Sequence, residues 1–458
     1  MSTNSNNTDS NHNNTDEILT GPQQDLVNGG LTVLELDNKG VSIRVQAKWW
    51  GFTIELNNNA VVFLNECFNY LDEKLNKHFK ESKLRRAISF YIQFKQERLS
   101  RAVNAEGSGG LVRMVSPWVI PVALVVVRGK MNEKDDYNLW FTVWDNDQNA
   151  WGEDAEFHEC MTRNGPALAQ HGDFLYCVHR GYGDNNLWWT KYSTDDGWSD
   201  DTMFPQHHTD SNTSLVDFNG TLYCCHRGAS DEQHVNNMLY YCTFDGVGSW
   251  NTDTKIEVNG TVFKSDTGCA VAVFNKELHL VYQSTDSNNV HHLIFDGTNW
   301  RNNGSIPNCE TADTPALVAY KDKLLMVHRG HTDQDLWYNN YSNGSWTGDN
   351  KINPIQSSKY GPSLAVFDNK VYMVHRGANN DQHLWHSTYD GTNWTQDKET
   401  KGVCLGAPPA LVCYKDPECT EKNYVDPNVI EDETDPTKTV ELPPTYQPRL
   451  ICVHRGIG

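Results

Sequence analysis

The chain has 458 residues, with 38 Lys and Arg against 59 Asp and Glu, a formal net charge of −21 and 38% hydrophobic residues; its mean hydropathy is −0.64. This balance excludes a membrane-embedded protein and argues against non-specific nucleic-acid binding, which needs clustered cations in a positive field. The length suits two or three ordinary domains, or one large β domain with a smaller companion.

In chain order, the opening stretch MSTNSNNTDSNHNNTD has neither a basic leader nor an apolar core, so no secretory signal is expected and the cytosol is the default compartment. Residues 1–28 are rich in Asn, Ser, Thr and Asp and have almost nothing to bury, which predicts a disordered tail. Residues 29–120 read as a small α+β domain. Leu31 to Leu36, Val41 to Val45 and Phe52 to Leu56 are short β runs separated by turns, the pattern of an antiparallel meander. Leu64, Phe68, Leu71, Leu75 and Phe79, and then Leu84, Ile88, Tyr91 and Ile92, recur at helical spacing. Between Lys74 and Arg101 nine basic residues face only Glu81 and Glu97, a local charge of +7. That segment is either a solvated helix face or a surface for an acidic partner or an anionic membrane.

From residue 121 to 458 the chain repeats itself. The clearest copies read Pro166-Ala-Leu168 with Leu175-Tyr-Cys-Val-His-Arg-Gly181, Pro315-Ala-Leu317 with Leu325-Met-Val-His-Arg-Gly330, and Pro362-Ser-Leu364 with Val371-Tyr-Met-Val-His-Arg-Gly377. Each is followed by an Asp/Asn loop, an aromatic strand and a turn ending in Trp. The histidines fall at His179, His226, His328, His375 and His454, with Tyr282 in the same place of a divergent copy. Each unit holds four short β-prone runs, the content of one blade of a β-propeller, whose sheets pack face to face around an axis.

The Pro-Ala-Leu type of strand occurs six times and so does the terminal Trp, at positions 151, 198, 250, 300, 346 and 394. The chain stops soon after Val453-His-Arg-Gly456, before an aromatic strand; Asn138-Leu-Trp-Phe141 and the run to Trp151 can supply the missing outer strands. Six blades follow. Leu124-Val-Val-Val-Arg-Gly129 looks like a surplus second strand and keeps a seven-bladed ring open. Residues 416–441 carry nine acidic and two basic residues, an acidic insert in the last blade, read as a mobile solvated loop or an acidic partner-binding or autoinhibitory one. Asn219-Gly220-Thr221 and Asn343-Gly344-Ser345 read as turns rather than glycan acceptors.

The string Val-His-Arg-Gly, a short Asp/Asn loop, Leu-Trp and Asp-Gly-x-x-Trp resembles the blades of β-propeller lectins of the fucose-binding and tectonin type, and more loosely sialidase-like propellers. The resemblance covers about residues 122–458. It implies sugar pockets between blades, with Arg donating to hydroxyls and Trp stacking on the sugar face. The candidate sets are Arg180 with Asp184 and Trp188, Arg329 with Asp333 and Trp337, and Arg376 with Asp381 and Trp385, joined by Arg227 and Arg455. The five histidines are candidates for either a structural network or ligand contact. Tyr240 at the Trp188 position makes the sites unequal.

A sialidase needs one asymmetric site, whereas these arginines recur one per blade, which favours binding of a glycan, glycoprotein or other protein partner over catalysis. Ser193-Thr-Asp-Asp-Gly197 approaches an Asp-box turn, an architectural feature. HExxH, P-loop and GxSxG motifs are missing, and so is any CxxC pair among the 12 cysteines, so no catalytic residue, cofactor or metal is expected. The alternatives to a lectin-like protein are a sialidase-like hydrolase and a membrane-targeting or toxin-like protein using the basic helices. Cys177, Cys225 and Cys452 sit in apolar runs, as buried thiols do.

Overall fold

The computed structural model describes residues 136–458 apart from 146–148, 153, 194–196, 231–234, 416–447 and 458, together with five strands nearer the start. Everything regular within these limits is β. The chain divides into two compact units, Met1–Asn132 and Glu133–Gly458. In the first, β1 (Leu31–Leu36), β2 (Val41–Lys48), β3 (Gly51–Asn57), β4 (Leu111–Pro117) and β5 (Val125–Arg128) form one antiparallel sheet in chain order. The expected tail, the two helices, the basic segment from Lys74 to Arg101, the acidic insert and the centre of the Asp-box-like turn lie outside the described residues.

The β5 strand decides the blade number. Val125–Arg128, the core of the surplus repeat, pairs with β4 from Val115↔Val125 to Val112↔Arg128 and so completes the first sheet. The seven-bladed alternative is thereby corrected. The run lacks the His of the true second strands, and its hydrogen-bonding edge is taken by β4.

The second unit is a six-bladed propeller. From innermost strand outward, blade 1 is Ala167–His171, Phe174–Arg180, Asn186–Ser193, then Gly197–Trp198 and Thr202–His208. Blade 2 is Ser214–Phe218, Thr221–Arg227, Leu239–Phe244 and Thr254–Lys255; blade 3 is Ser265–Phe274, Glu277–Ser284, Asn289–Phe295 and Trp300–Glu310. Blade 4 is Ala316–Tyr320, Lys323–Arg329, Leu336–Ser342, then Ser345–Trp346 and Asn350–Lys351. Blade 5 is Ser363–Phe367, Lys370–Arg376, His383–Tyr389 and Lys398–Cys404. Blade 6 joins the two ends of the propeller: Ala410–Tyr414 and Arg449–Arg455 come last in the chain, and Asn138–Asp145, Ala150–Trp151 and Ala155–Met161 come first. The innermost strands touch one another in sequence, and the sixth touches the first.

Second strands are buried on both faces because a neighbouring blade covers each side. Leu175, Tyr176, Cys177 and Val178 are at most 2% exposed, each apolar side chain contributing about 1.5–3 kcal/mol by its burial. The space between blades 1 and 2 is filled by Tyr176, Val178 and Phe204 against Leu222, Cys224, Phe244 and Trp250, with Phe204 and Trp250 stacked at 4.5 Å. Cys177, Cys225 and Cys452 are fully buried free thiols. Asn219-Gly220 and Asn343-Gly344 have positive φ at both residues, 55° with 76° and 50° with 81°, the requirement of a type I′ hairpin turn.

Blade 3 buries two histidines, His279 and His292, on its second and third strands. His292 accepts from Trp346 Nε1 at Nδ1, 3.1 Å away, and therefore donates through Nε2 to His279 Nδ1 at 2.9 Å. Burial holds His279 down to about 4 and His292 down to about 3. Both are depressed relative to an unfolded chain near 6.5, so the unfolded state binds more protons below that pH. Stability is therefore complete above about pH 6.5 and is lost as pH falls toward the folded values. The urea midpoint is expected to drop between pH 7.5 and pH 5, and His279→Phe is expected to shrink that drop. An equal drop in the variant refutes the assignment.

Candidate functional site

Each second strand except that of blade 3 ends in His-Arg-Gly, and the hairpin register sets its histidine opposite the aromatic residue of the third strand. His179↔Trp188, His226↔Tyr240, His328↔Trp337, His375↔Trp385 and His454↔Trp140 are the pairs. Directly opposed residues share a face of the sheet. All five histidines are 0% exposed.

Each of these buried rings meets a carboxylate that was not singled out in the sequence. His179, His226, His328 and His454 place Nε2 at 3.1, 2.9, 3.0 and 2.9 Å from Asp201, Asp253, Asp349 and Asp154, and His375 stands 3.5 Å from Asp397. The Nδ1 atoms lie 3.1–3.3 Å from the carbonyl of the arginine that follows. Every such Asp stands three residues after the blade-ending Trp, as in Trp151-Gly-Glu-Asp154 and Trp346-Thr-Gly-Asp349. Blade 3, with Tyr282 for the His, has Asn303 at that place. Gain or loss of the two together inside one chain identifies a structural pair. The histidines are thus buried inside the blades rather than presented at the rim.

The Asp/Asn loop also has an internal task. Asp333 accepts the Trp337 indole N–H at 3.4 Å and the Asp335 backbone N–H at 3.1 Å, and Asp381 accepts from Trp385 at 2.8 Å and from the His383 backbone at 3.0 Å. Asp184 does the same for Trp188 at 3.5 Å and the Asn186 backbone at 3.0 Å, and Asp136 for Trp140 at 2.9 Å. The motif glycine makes room for this cap: a Cβ at Gly330 would stand 2.2 Å from Asp333 Oδ1 and 3.0 Å from Trp337 Nε1. So Asp184, Asp333 and Asp381 stay with Trp188, Trp337 and Trp385, as the sequence grouping had them, but the arginines belong elsewhere.

Arg180 donates to Asn164 at 3.1 Å and to Asn185; burial pulls its guanidinium below the usual range. Arg227 pairs with Asp210 and donates to the Asp266 carbonyl at 3.2 Å. Arg376, 3% exposed, donates to the carbonyls of Leu405, Gly377 and Asn379 at 3.0, 3.4 and 3.3 Å. Arg455 donates to the carbonyls of Arg163, at 2.8 Å, and Gly406. In blade 3 Gln283 replaces the arginine and donates to Asn288 and the Thr311 carbonyl at 3.1 and 2.8 Å. Asn164, Asp210, Leu405, Arg163, Gly406 and Thr311 lie in the loops before innermost strands, so the arginine end of the propeller is the end where each blade begins.

Arg329 is the exception. Among the described residues its guanidinium has no hydrogen-bond partner, and its Nε is buried without one. Asp313 faces it electrostatically but spends its oxygens on the backbone N–H groups of Thr314 at 2.7 Å and Gly361 at 3.1 Å. In blade 2 the residue after Thr209 is Asp210, the partner of Arg227, whereas the residue after the equivalent Thr311 is Ala312.

Aromatic rings that the repeat pattern did not flag share this rim. The Arg376 guanidinium lies 5.5 Å over Tyr360 and that of Arg455 lies 5.1 Å over Tyr137. Tyr137 packs 4.1 Å from Tyr182, which is 36% exposed. At the axis, Pro166, Thr213, Pro315, Pro362 and Pro409, each just before an innermost strand, and Cys269, within one, line a cavity of about 140 Å³. Gly361, tied to Asp313, also lines it.

No family model and no curated protein matches the chain. Solved structures do. A fungal lectin of Aleuria aurantia described as a six-bladed β-propeller with a fucose recognition mode aligns at TM-score 0.40 and 13% identity over 54% of this chain and 83% of its own. AofleA from Arthrobotrys oligospora aligns at TM-score 0.44 and 13% identity over 63% and 82%. An exo-β-1,3-galactanase of Phanerochaete chrysosporium aligns at TM-score 0.36 and 11% identity over 47% and 57%. What this chain binds has to be read from its own residues.

Proposed function

We propose that the propeller is a non-enzymatic carbohydrate-binding module that takes a sugar on its arginine rim, with Arg329 as the principal donor. The observation that carries this is the free guanidinium of Arg329 on a rim where Arg180, Arg227, Arg376 and Arg455 are held by the protein. A planar, two-pronged cationic donor suits a vicinal diol or the carboxylate of an acidic sugar. Half-buried Trp337, fixed by Asp333 beside Gly330, stands opposite His328 and therefore on the other face of the hairpin, with the Lys351 ammonium 4.7 Å over its ring, so the guanidinium itself carries the proposal. Binding without turnover is supported by the carboxylates around the arginines. Asp184, Asp333 and Asp381 cap indoles, and Asp210 is paired with Arg227. None of these is left as the acid and base that glycoside hydrolysis requires.

The test is a glycan array with the full chain, followed by titration of the best ligand. Arg329→Ala is expected to weaken binding by about 10–100-fold, the worth of a charged hydrogen bond. Arg329→Lys keeps the charge, loses the fork and should recover little of it. No binding to any sugar, or equal binding by Arg329→Ala, overturns the proposal. Release of sugar from a chromogenic sialoside or galactoside overturns its non-enzymatic part.

A further inference from the structure

Between blades 3 and 4 four polar side chains converge in a closed space. Cys309 comes from the outer strand of blade 3, and His328 and Asn339 from the second and third strands of blade 4, with Asp349 beside its outer edge. Cys309, His328 and Asn339 are 0% exposed and the Asp349 side chain 15%. One donor atom each from Cys309, His328 and Asp349 lies within 4.8 Å of the other two. Cys309 Sγ is 3.4 Å and Asp349 Oδ1 3.0 Å from the same His328 Nε2. Asn339 donates from Nδ2 to Asp349, and its Oδ1 is buried with no partner.

Hydrogen bonds alone do not close this cluster. His328 turns Nδ1 toward the Arg329 carbonyl at 3.3 Å, so Nε2 is the atom that must reconcile itself with a sulfur and a carboxylate. A proton on Nε2 serves Asp349 and the Cys309 S–H can bond the same carboxylate, but the Asn339 oxygen stays without a donor. A cation with several coordination positions serves all of them. The matching position of blade 6 is simpler: Val403 from the preceding blade and Thr142 stand where Cys309 and Asn339 stand here, and a proton suffices between His454 and Asp154.

We propose that Cys309, His328 and Asp349, with the Asn339 carbonyl oxygen as fourth donor, form a structural zinc site between blades 3 and 4. The mixed sulfur, nitrogen and oxygen set suits zinc, and four protein donors leave no position open for catalysis. A thiolate and a carboxylate neutralise the two positive charges, which makes the complex tolerable in a buried site. The Nδ1–H bond to a backbone carbonyl is the outer contact that fixes the tautomer of a zinc-bound histidine. Without metal, burial and the Asp349 charge push the Cys309 thiol up, so binding breaks the S–H bond, forms the Zn–S bond and releases the proton to solvent. A second group, His207 with Cys242 and Asp253, differs in that His207 Nε2 is already committed to the Asn251 carbonyl at 2.7 Å.

The full chain, purified with a thiol reductant present, is analysed for bound zinc, stripped by chelator and reloaded with Co²⁺ alone. The expected results are stoichiometric zinc, a lower melting temperature after stripping, and a thiolate-to-cobalt charge-transfer band with tetrahedral d–d absorption. Cys309→Ser is expected to remove the charge-transfer band, and Asp349→Asn to weaken zinc binding by about 10–100-fold; Cys242→Ser keeps both. Absence of bound zinc together with absence of the cobalt band in the folded wild-type chain overturns the proposal, and that readout does not depend on any variant folding. A band lost in Cys242→Ser but retained in Cys309→Ser overturns it as well.

Discussion

Replacing Asp154 by alanine is expected to destabilise the propeller by about 3–5 kcal/mol, the cost of stranding one member of a buried ion pair. Asp154 precedes the outer strand that comes from the front of the propeller, and His454, its partner at 2.9 Å, lies on the last strand of the chain. The pair therefore fastens the two ends of the ring in blade 6. Burial alone would push His454 down, but the charge and hydrogen bond of Asp154 outweigh it and hold the imidazole above its ordinary value. A histidine raised on folding lends stability that is complete below the unfolded value, near 6.5, and is lost as pH rises through the folded value. The wild type should thus weaken on the alkaline side, and Asp154→Ala should be weaker already at pH 6 and lack that alkaline loss. The double variant Asp154→Ala with His454→Ala should cost less than the sum of the single changes, because removing both partners leaves no stranded charge. Urea unfolding at pH 6 and pH 8.5 checks all of this, and a loss below about 1 kcal/mol for Asp154→Ala would sink the fastening role.

That pair also shows where the sequence is transparent and where it is not. The six-fold count of Pro-Ala-Leu strands and terminal Trp residues, and the closure of blade 6 by Asn138–Asp145, follow from periodicity, because each blade must bury the same faces. The Val125–Arg128 run misled for the same reason: a two-sided apolar strand looks alike in any buried sheet. The partners of the histidines were present as Asp154, Asp201, Asp253, Asp349 and Asp397, each three residues after a Trp. Comparing repeats would have exposed them, since Tyr282 and Asn303 depart from the pattern in the same blade. The arginines were harder. Their acceptors come from loops before the innermost strands, from the loops after the second strands and, at Asp266, from an innermost strand itself, and several are backbone carbonyls that no side-chain pattern encodes. Arg329 lacks the carboxylate that Arg227 has in Asp210, since Ala312 stands there, and also the loop acceptors that hold Arg180, Arg376 and Arg455, which no single position in the sequence displays.

A chain ended after Pro448 is expected not to fold as a propeller at all. The missing strand, Arg449–Arg455, runs between Ala410–Tyr414 and Asn138–Asp145 and pairs with both. Its Leu450, Ile451, Cys452, Val453 and His454 are at most 2% exposed, and truncation of any one aliphatic member to alanine would cost about 2–5 kcal/mol. Removing the strand forfeits those contributions together, strands Asp154, and leaves two unpaired edges facing each other inside a ring. Since domains of this kind are stable by only about 5–15 kcal/mol in total, the deficit exceeds what the other five blades can carry as one cooperative unit. Repeat architectures without closure can shorten by a unit and survive, because each repeat touches only its neighbours. Here the first innermost strand also touches the sixth, and the deleted strand is the one that joins the sixth to the rest of its blade. The truncated chain should show no cooperative thermal transition and rapid proteolysis under conditions where the full chain resists. A sharp transition within a few degrees of the full-length value would mean that the ring gains nothing from closing, contrary to the packing of Tyr372 and Val374 against Leu450 and Cys452.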